Sequence, residues 1–198
     1  MQASFILSAA SAADFPTTGL PEIALVGRSN VGKSSLINAL TKQKIARTSA
    51  APGKTRLANF YQLPNPQSRA PHPQSFYLVD LPGYGYARGG PESVETFEQL
   101  TREYFAPARH NQIAGVLHLI DARHPDLPQD AAAYEWLMRT QLPLAIVATK
   151  MDKLRQSEQS STRKMLEKAF GVRVLPESAV KGTGIDDVWR QLRQWTVS

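Results

Sequence analysis

Gly27-Arg28-Ser29-Asn30-Val31-Gly32-Lys33-Ser34 fits the pattern G-x-x-x-x-G-K-[ST], and its flanks decide how it is read. Before it, Glu22-Ile-Ala-Leu-Val26 is a short apolar run with the character of a buried strand. After it, Leu36, Ile37 and Leu40 fall at helical spacing. In that order, the first turn of the helix offers unpaired N–H groups and a positive dipole end, which together stabilise a phosphate. Gly27 and Gly32 let the backbone bend and approach closely. Lys33 adds a mobile charge for outer phosphates, and Ser34 offers a small oxygen to Mg²⁺.

Outward from this loop, the chain reads as alternating strands and helices. Thr41 to Thr55 is loop-like, with Ala50-Ala-Pro-Gly-Lys-Thr55 carrying turn formers. Thr55 to Leu63 and Ser75 to Asp80 have strand composition. The connection between them, Pro64-Asn-Pro-Gln-Ser-Arg-Ala-Pro-His-Pro73, is proline-rich and irregular, so a long hairpin is expected, with 64–74 as its loop. Pro91 to Ala108 has the spacing of an amphipathic helix. Ala114 to Ile120 is a strand, Gln129 to Thr140 a helix with Tyr134, Leu137 and Met138 inward, and Leu144 to Ala148 a strand. Glu158 to Phe170 is a charged helix, Val172 to Leu175 a last strand and Ile185 to Trp195 a closing helix. This alternation predicts a three-layer α/β domain with a mainly parallel sheet, whose ligands bind beyond the carboxyl ends of the strands.

The 198 residues suit one domain, 1–198, with residues 1–20 as an N-terminal edge segment. With no cysteine, disulfides, thiolate zinc sites and cysteine nucleophiles are excluded. No run is long enough to span a bilayer, and the start lacks the basic leader of a secretory signal, so a cytoplasmic, membrane-free protein is expected. The formal charge of +6 fits either attraction to polyanions or a solvated surface. Its basic residues are scattered, among them Lys42, Lys44, Arg47, Arg102, Arg109, Lys164 and Lys168, so any nucleic-acid contact would be a folded face.

Two further motifs close predicted strands. Asp80-Leu-Pro-Gly83 puts a carboxylate where a phosphate-loop protein holds one near Mg²⁺, and Gly83 can offer its N–H to a terminal phosphate. Thr149-Lys-Met-Asp152 supplies Asp152, whose carboxylate can accept from both N–H donors on the edge of guanine. Adenine lacks that pair, and a buried carboxylate left without donors is costly. Ser178-Ala179-Val180 and Lys181-Gly182-Thr183-Gly184 follow the next strand, where a backbone loop can meet the base carbonyl.

Taken in order, GRSNVGKS, APGKT, DLPG, TKMD and ESAVKGTG resemble a Ras-like GTPase. More specifically, Pro52-Gly-Lys-Thr55, Asp80-Leu-Pro-Gly-Tyr-Gly-Tyr-Ala87, Asp121-Ala-Arg-His124 and Thr149-Lys-Met-Asp152 are similar to the EngB (YihA/YsxC) family of bacterial GTPases, implicated in assembly of the large ribosomal subunit. The resemblance covers nearly the whole chain. It implies a P-loop GTPase domain with a six-stranded, mostly parallel sheet, one antiparallel edge strand and helices on both faces. It also implies GTP and GDP as substrate and product, Mg²⁺, and a monomer whose partners are the large ribosomal subunit or its precursor and ribosomal RNA. The nucleotide-binding residues it implies are Gly27, Arg28, Ser29, Asn30, Val31, Gly32, Lys33, Ser34 and Ser35 of the loop, and Gly53, Lys54, Thr55, Arg56 and Leu57 of the first switch. Asp80, Leu81, Pro82 and Gly83 follow, then Thr149, Lys150, Met151 and Asp152, and finally Glu177, Ser178 and Ala179. Ser34, Thr55 and Asp80 are the implied Mg²⁺ residues, and Lys33, Thr55 and Asn30 the implied catalytic ones. Lys150 packs on the base plane. Thr149 replaces the asparagine commonest across GTPases, which leaves the tether it makes weaker or different.

Ras-like proteins place a water-orienting glutamine directly after D-x-x-G, and here that residue is Tyr84. Slow intrinsic turnover follows, stimulated by a ribosomal particle or a cation. Asn30 either helps hold K⁺ beside the phosphates or caps the loop. An ATP-using phosphotransferase with the same loop is disfavoured by Asp152, whereas a nucleotide-dependent RNA- or ribosome-binding module with negligible hydrolysis stays open. His118, within a strand, reads as a packed or surface residue, and Trp136, Trp189 and Trp195 as core.

Overall fold

The computed structural model describes residues 2–48, 57–65, 75–84 and 99–196. Its main elements are β1 (Ser4–Ala9), β2 (Glu22–Gly27), α1 (Lys33–Thr41), β3 (Ala58–Pro64), β4 (Ser75–Asp80), β5 (Ile113–Asp121), α2 (Pro128–Met138), β6 (Leu144–Thr149), α3 (Gln156–Phe170), β7 (Val174–Pro176) and α4 (Ile185–Thr196). Residues 99–104 are also helical. The strands form one sheet in the order β1-β3-β4-β2-β5-β6-β7. β4, β2, β5, β6 and β7 are parallel neighbours, and β3 runs antiparallel to both β1 and β4.

The expected α/β fold is present with seven strands rather than six. The added strand comes from the edge segment: residues 4–9 pair with β3, so the antiparallel strand lies one place in from the edge. The expected hairpin is there as well, with β3 and β4 in register from Asn59↔Asp80 to Pro64↔Ser75. Most of its proline-rich loop, 66–74, lies outside the described residues, as do 49–56 of the first switch and 85–98.

The strand alternation of side chains sorts the core into two faces. Ile23 and Leu25 of β2 pack with Leu36, Ile37 and Leu40 of α1 and with Ile185, Val188 and Leu192 of α4, which recur at helical spacing. Ala24 and Val26 face the other side, with Phe60, Val79, Leu100, Tyr104 and Leu137. A third cluster continues this layer under α3 through Ile120, Ile146, Leu166 and Val174. Glycine ends α3: Gly171 has φ 67°, and its N–H donates to the Glu167 carbonyl. Trp189 and Trp195 lie partly buried on the α1 and α4 side, and Trp136 on the other, close to the core role expected.

One expected inward residue faces out. Met138 is half exposed, because Leu137 and Tyr134, three residues apart, take the packed face of α2 and Met138 is its last residue. Among the described residues no helix is long and apolar enough to cross a membrane. The five parallel strands end together, at Gly27, Asp80, Asp121, Thr149 and Pro176. Every predicted motif within the described residues therefore opens at one edge of the sheet.

Candidate functional site

The turn from β2 into α1 is built as its sequence requires. Gly32, at φ 125°, caps the helix in a region closed to most side chains, and Asn30 sits at φ 61°. The bend aims the start of α1 back over the end of β2. Lys33 is buried there, and its Nζ donates to the carbonyls of Gly27 and Arg28, each at 3.4 Å. Burial lowers the Lys33 pKa, and the Asp80 charge works against that.

Asp80 closes β4 beside this lysine and is itself buried. Its Oδ2 accepts from the Ser34 hydroxyl at 3.0 Å. Burial raises its pKa, opposed by Lys33 and by the Ser34 hydrogen bond. The other oxygen, Oδ1, is buried with no hydrogen-bond partner among the described residues. One orphaned carboxylate oxygen next to a serine hydroxyl, at a helix start whose N–H groups suit an anion, is a hard-oxygen donor set that fits Mg²⁺.

Beyond Asp80 the chain turns back onto the loop. The Ser29 N–H donates to the Tyr84 carbonyl at 3.1 Å, and Arg28 and Tyr84 form an isolated parallel bridge. Gly83 lies so close that a Cβ placed on it would come within 2.5 Å of the Ser29 nitrogen. The Tyr84 ring turns away, toward β5 and α2, where its hydroxyl donates to Asp130 and lies 2.7 Å from His118 Nε2.

The strand ends on the other side supply the second half of the site. The Thr149 hydroxyl lies 2.7 Å from the Val31 carbonyl and 3.2 Å from that of Ile120. The tether expected to be weaker or different with threonine is a short bond to the middle of the loop. Lys150, in the left-handed region at φ 59°, sends Nζ to the Asn30 carbonyl at 2.6 Å and to Asp121 Oδ2 at 2.8 Å. Arg123 grips the same carboxylate through Nε and NH2, at 2.9 and 2.7 Å. Burial alone would raise the Asp121 pKa, but Arg123 and Lys150 outweigh it and hold the group well below the usual range. Asp121 follows the rule that put Asp80 among the candidates, a carboxylate at the end of a buried strand. Only its place in the word Asp121-Ala-Arg-His124 marked it in the sequence.

Asp152 and the segment after β7 meet as the motifs require. The Ser178 hydroxyl donates to Asp152 Oδ1 at 2.6 Å, and this bond is the main cause lowering the Asp152 pKa. Lys181 N–H returns to Ser178 Oγ, Ser178 pairs with Thr183, and Met151 N–H donates to the Glu177 carbonyl. Leu81 is buried and Leu57 exposed, while Gly53, Lys54, Thr55 and Arg56 lie outside the described residues.

Glu177 is buried, and burial together with the Asp152 charge pushes its carboxyl up to about 7, against backbone N–H groups of Ala179 and Lys150 that favour the ionised form. Because the folded value lies above the ordinary 4.5, this group favours folding at low pH, and its contribution is lost as pH rises through about 7. Glu177→Gln, which stays neutral, is expected to stabilise the nucleotide-free protein by about 2 kcal/mol at pH 8. The two proteins should converge toward pH 5. Denaturant unfolding across that range is the check, and a gap that does not change with pH would count against the raised carboxyl.

Asp130 escaped the sequence reading, since a single acid in the first turn of a helix is ordinary. It is fully buried and takes an Arg28 contact at 3.3 Å on Oδ2 as well as the Tyr84 hydroxyl on Oδ1. Only the packing of α2 against β5 and the loop reveals it.

Comparison with known proteins agrees with this geometry. The family described as 50S ribosome-binding GTPase matches residues 22–150. A probable GTP-binding protein EngB of Leuconostoc citreum is 46% identical over 167 residues, 84% of this chain and 80% of that protein. Its counterpart in Symbiobacterium thermophilum is 38% identical over 231 residues, 99% of this chain and 98% of that protein. Among solved structures, a probable GTP-binding protein engB has a TM-score of 0.66 at 23% identity, covering 89% of this chain and 98% of its own. Era in complex with MgGDPNP and nucleotides 1506–1542 of 16S ribosomal RNA has a TM-score of 0.73 at 22% identity, covering 90% and 57%. At those identities the two structures speak for the fold, and the family itself rests on the match over 22–150 and on the relatives. The chain belongs to the EngB family of GTP-binding proteins, P-loop GTPases.

Proposed function

We propose that this GTPase is a switch acting in assembly of the large ribosomal subunit, competent for its partner with GTP and released after hydrolysis. The observation that carries this reading is the match over 22–150 to a family described as 50S ribosome-binding, on a chain of net charge +6. The related structure of Era with nucleotides of 16S ribosomal RNA supports an RNA-rich partner.

In this reading the N–H groups from Asn30 to Ser35 and the Lys33 ammonium hold the phosphates. Asp152 accepts the N–H edge of guanine, Glu177 to Ala179 close over its other edge, and Lys150 lies along the base plane. Ser34 and Asp80 hold Mg²⁺, joined by Thr55 when the first switch closes. When bound there, the ion would supply neutralisation of charge on the phosphate oxygens. Gly83 gives its N–H to the terminal phosphate, and the second switch begins there.

Slow intrinsic turnover belongs to the same proposal. No glutamine follows Gly83, and the Tyr84 hydroxyl is engaged by Asp130 and His118. Asn30 is a candidate K⁺ ligand, and equal single-turnover rates in K⁺ and Na⁺ buffers, with Asn30→Ala alongside, would remove that role. The decisive test of the function is sedimentation with purified ribosomal subunits. Co-sedimentation with the 50S subunit is expected with a non-hydrolysable GTP analogue, with loss in GDP and in Lys33→Ala. Binding that ignores the nucleotide, or prefers the small subunit, would overturn the reading.

A further inference from the structure

We infer that Asp130 and His118 form a clasp on Tyr84 that works against the terminal phosphate, and that they thereby set how strongly this chain discriminates GTP from GDP. The inference rests on the proposed nucleotide site and adds two residues outside it, one on α2 and one on β5.

The clasp is a closed set of contacts. Asp130 and His118 are both fully buried. The Tyr84 hydroxyl sits between them, at 2.7 Å from Asp130 Oδ1 and 2.7 Å from His118 Nε2. Burial raises the Asp130 pKa, opposed by the Tyr84 hydrogen bond and the Arg28 guanidinium; a phenol has one hydrogen, and the ionised carboxylate receives it. His118 must then be the tautomer that carries its hydrogen on Nε2 and donates to the phenol oxygen. The remaining nitrogen agrees with this assignment, since Nδ1 is buried with no partner among the described residues. Burial also pushes His118 down to about 4, so the ring is neutral at physiological pH.

Released from the clasp, Tyr84 would leave a buried carboxylate and a buried imidazole each short of a partner. The clasp is therefore stronger than one surface hydrogen bond. Asp130 also ties it to the loop, because its second oxygen meets Arg28, the residue whose backbone bridges Tyr84.

The link to the nucleotide is spatial. With the Ser29 N–H bonded to the Tyr84 carbonyl and Gly83 in direct contact with the Ser29 backbone, the loop and the start of the second switch touch each other. A terminal phosphate held between the loop and the Gly83 N–H needs those two walls apart. Lifting Gly83 carries Tyr84 with it and opens the clasp. GDP has no such phosphate and leaves the clasp closed. A contact present in one liganded state and absent in the other shifts the preference between the two ligands by its own free energy.

The test compares affinities of a non-hydrolysable GTP analogue and of GDP, both with Mg²⁺, in the parent, Tyr84→Phe and Asp130→Asn. Tyr84→Phe deletes one oxygen and keeps the ring. In both variants the analogue is expected to bind about 5- to 20-fold tighter while GDP stays within about twofold, the range of a single coupling of this kind. A merely structural role would move both nucleotides by the same factor, and that result, or an unchanged ratio in Tyr84→Phe, overturns the clasp. If Asp130→Asn does not fold, Tyr84→Phe decides alone, with thermal unfolding confirming that it is folded. If the parent binds neither guanine nucleotide, the nucleotide site itself fails, a different result from a measured but unshifted ratio.

Discussion

Asp152→Asn is expected to weaken GDP binding by about 100- to 1,000-fold and to bring xanthosine diphosphate into the range the parent shows for GDP. In the proposed site the carboxylate accepts from two guanine donors, and hydrogen bonds to an ionised acceptor are the strong kind. An amide retains one acceptor and presents a donor in place of the other. Guanine then meets N–H against N–H, whereas the second carbonyl of xanthine meets that N–H favourably. The Ser178 hydroxyl, 2.6 Å from Asp152, can still donate to the amide oxygen, so the side chain stays oriented. Competition of GDP, xanthosine diphosphate and ADP against a labelled nucleotide measures the exchange. Loss of all three in the variant would point to a collapsed loop, and retained GDP affinity would remove Asp152 from base reading.

Arg109→Ala should cost about 3–5 kcal/mol of stability, a fall of roughly 10 °C in Tm, with little change in nucleotide affinity measured well below the transition. Glu22 opens β2 and is buried, and Arg109 NH2 lies 2.8 Å from each of its carboxylate oxygens. The guanidinium also lies 4.2 Å from the ring centre of Phe15 and 5.0 Å from that of Tyr104. Burial raises the Glu22 pKa and Arg109 opposes it, so removing the arginine strands a charge that the protein must neutralise by taking up a proton. The loss should therefore shrink as pH falls toward 5. The pair stands at the end of β2 opposite the phosphate loop, which is why stability and binding should separate. Replacing Glu22 and Arg109 together with apolar residues is expected to recover much of the stability. A double variant as weak as the single one would mean that ring packing, rather than the stranded charge, carries the effect.

The reach of the sequence can be judged from particular residues. Gly32, Lys33 and Ser34 were readable because the phosphate turn is a local object, with its chemistry and its flanks contained in about twenty residues. Asp80 was readable because it ends a buried strand and Asp152 because it follows one by three residues, and a parallel sheet brings strand ends together. β1 was harder. Its register with β3 shifts between Phe5 and Leu7, and most of its residues are exposed, so six residues at a sheet edge carry no clean alternation. Met138 misled because helical spacing alone does not tell which of two adjacent apolar residues faces the sheet. Asp130 and His118 were invisible as partners, since what joins them is the meeting of α2, β5 and the residue after Gly83.

Thr149 and Lys150 fasten the base-side strand end to the carbonyls of Val31 and Asn30 in the phosphate turn. Those two struts make the site a caliper: the span from the base reader to the phosphate turn is set by protein bonds before any ligand arrives. In the proposed nucleotide site, such a frame would measure the length of the ligand as well as the edge of its base. A guanine ligand with a stretched or shortened sugar linkage would then engage one jaw only, however well its base matched.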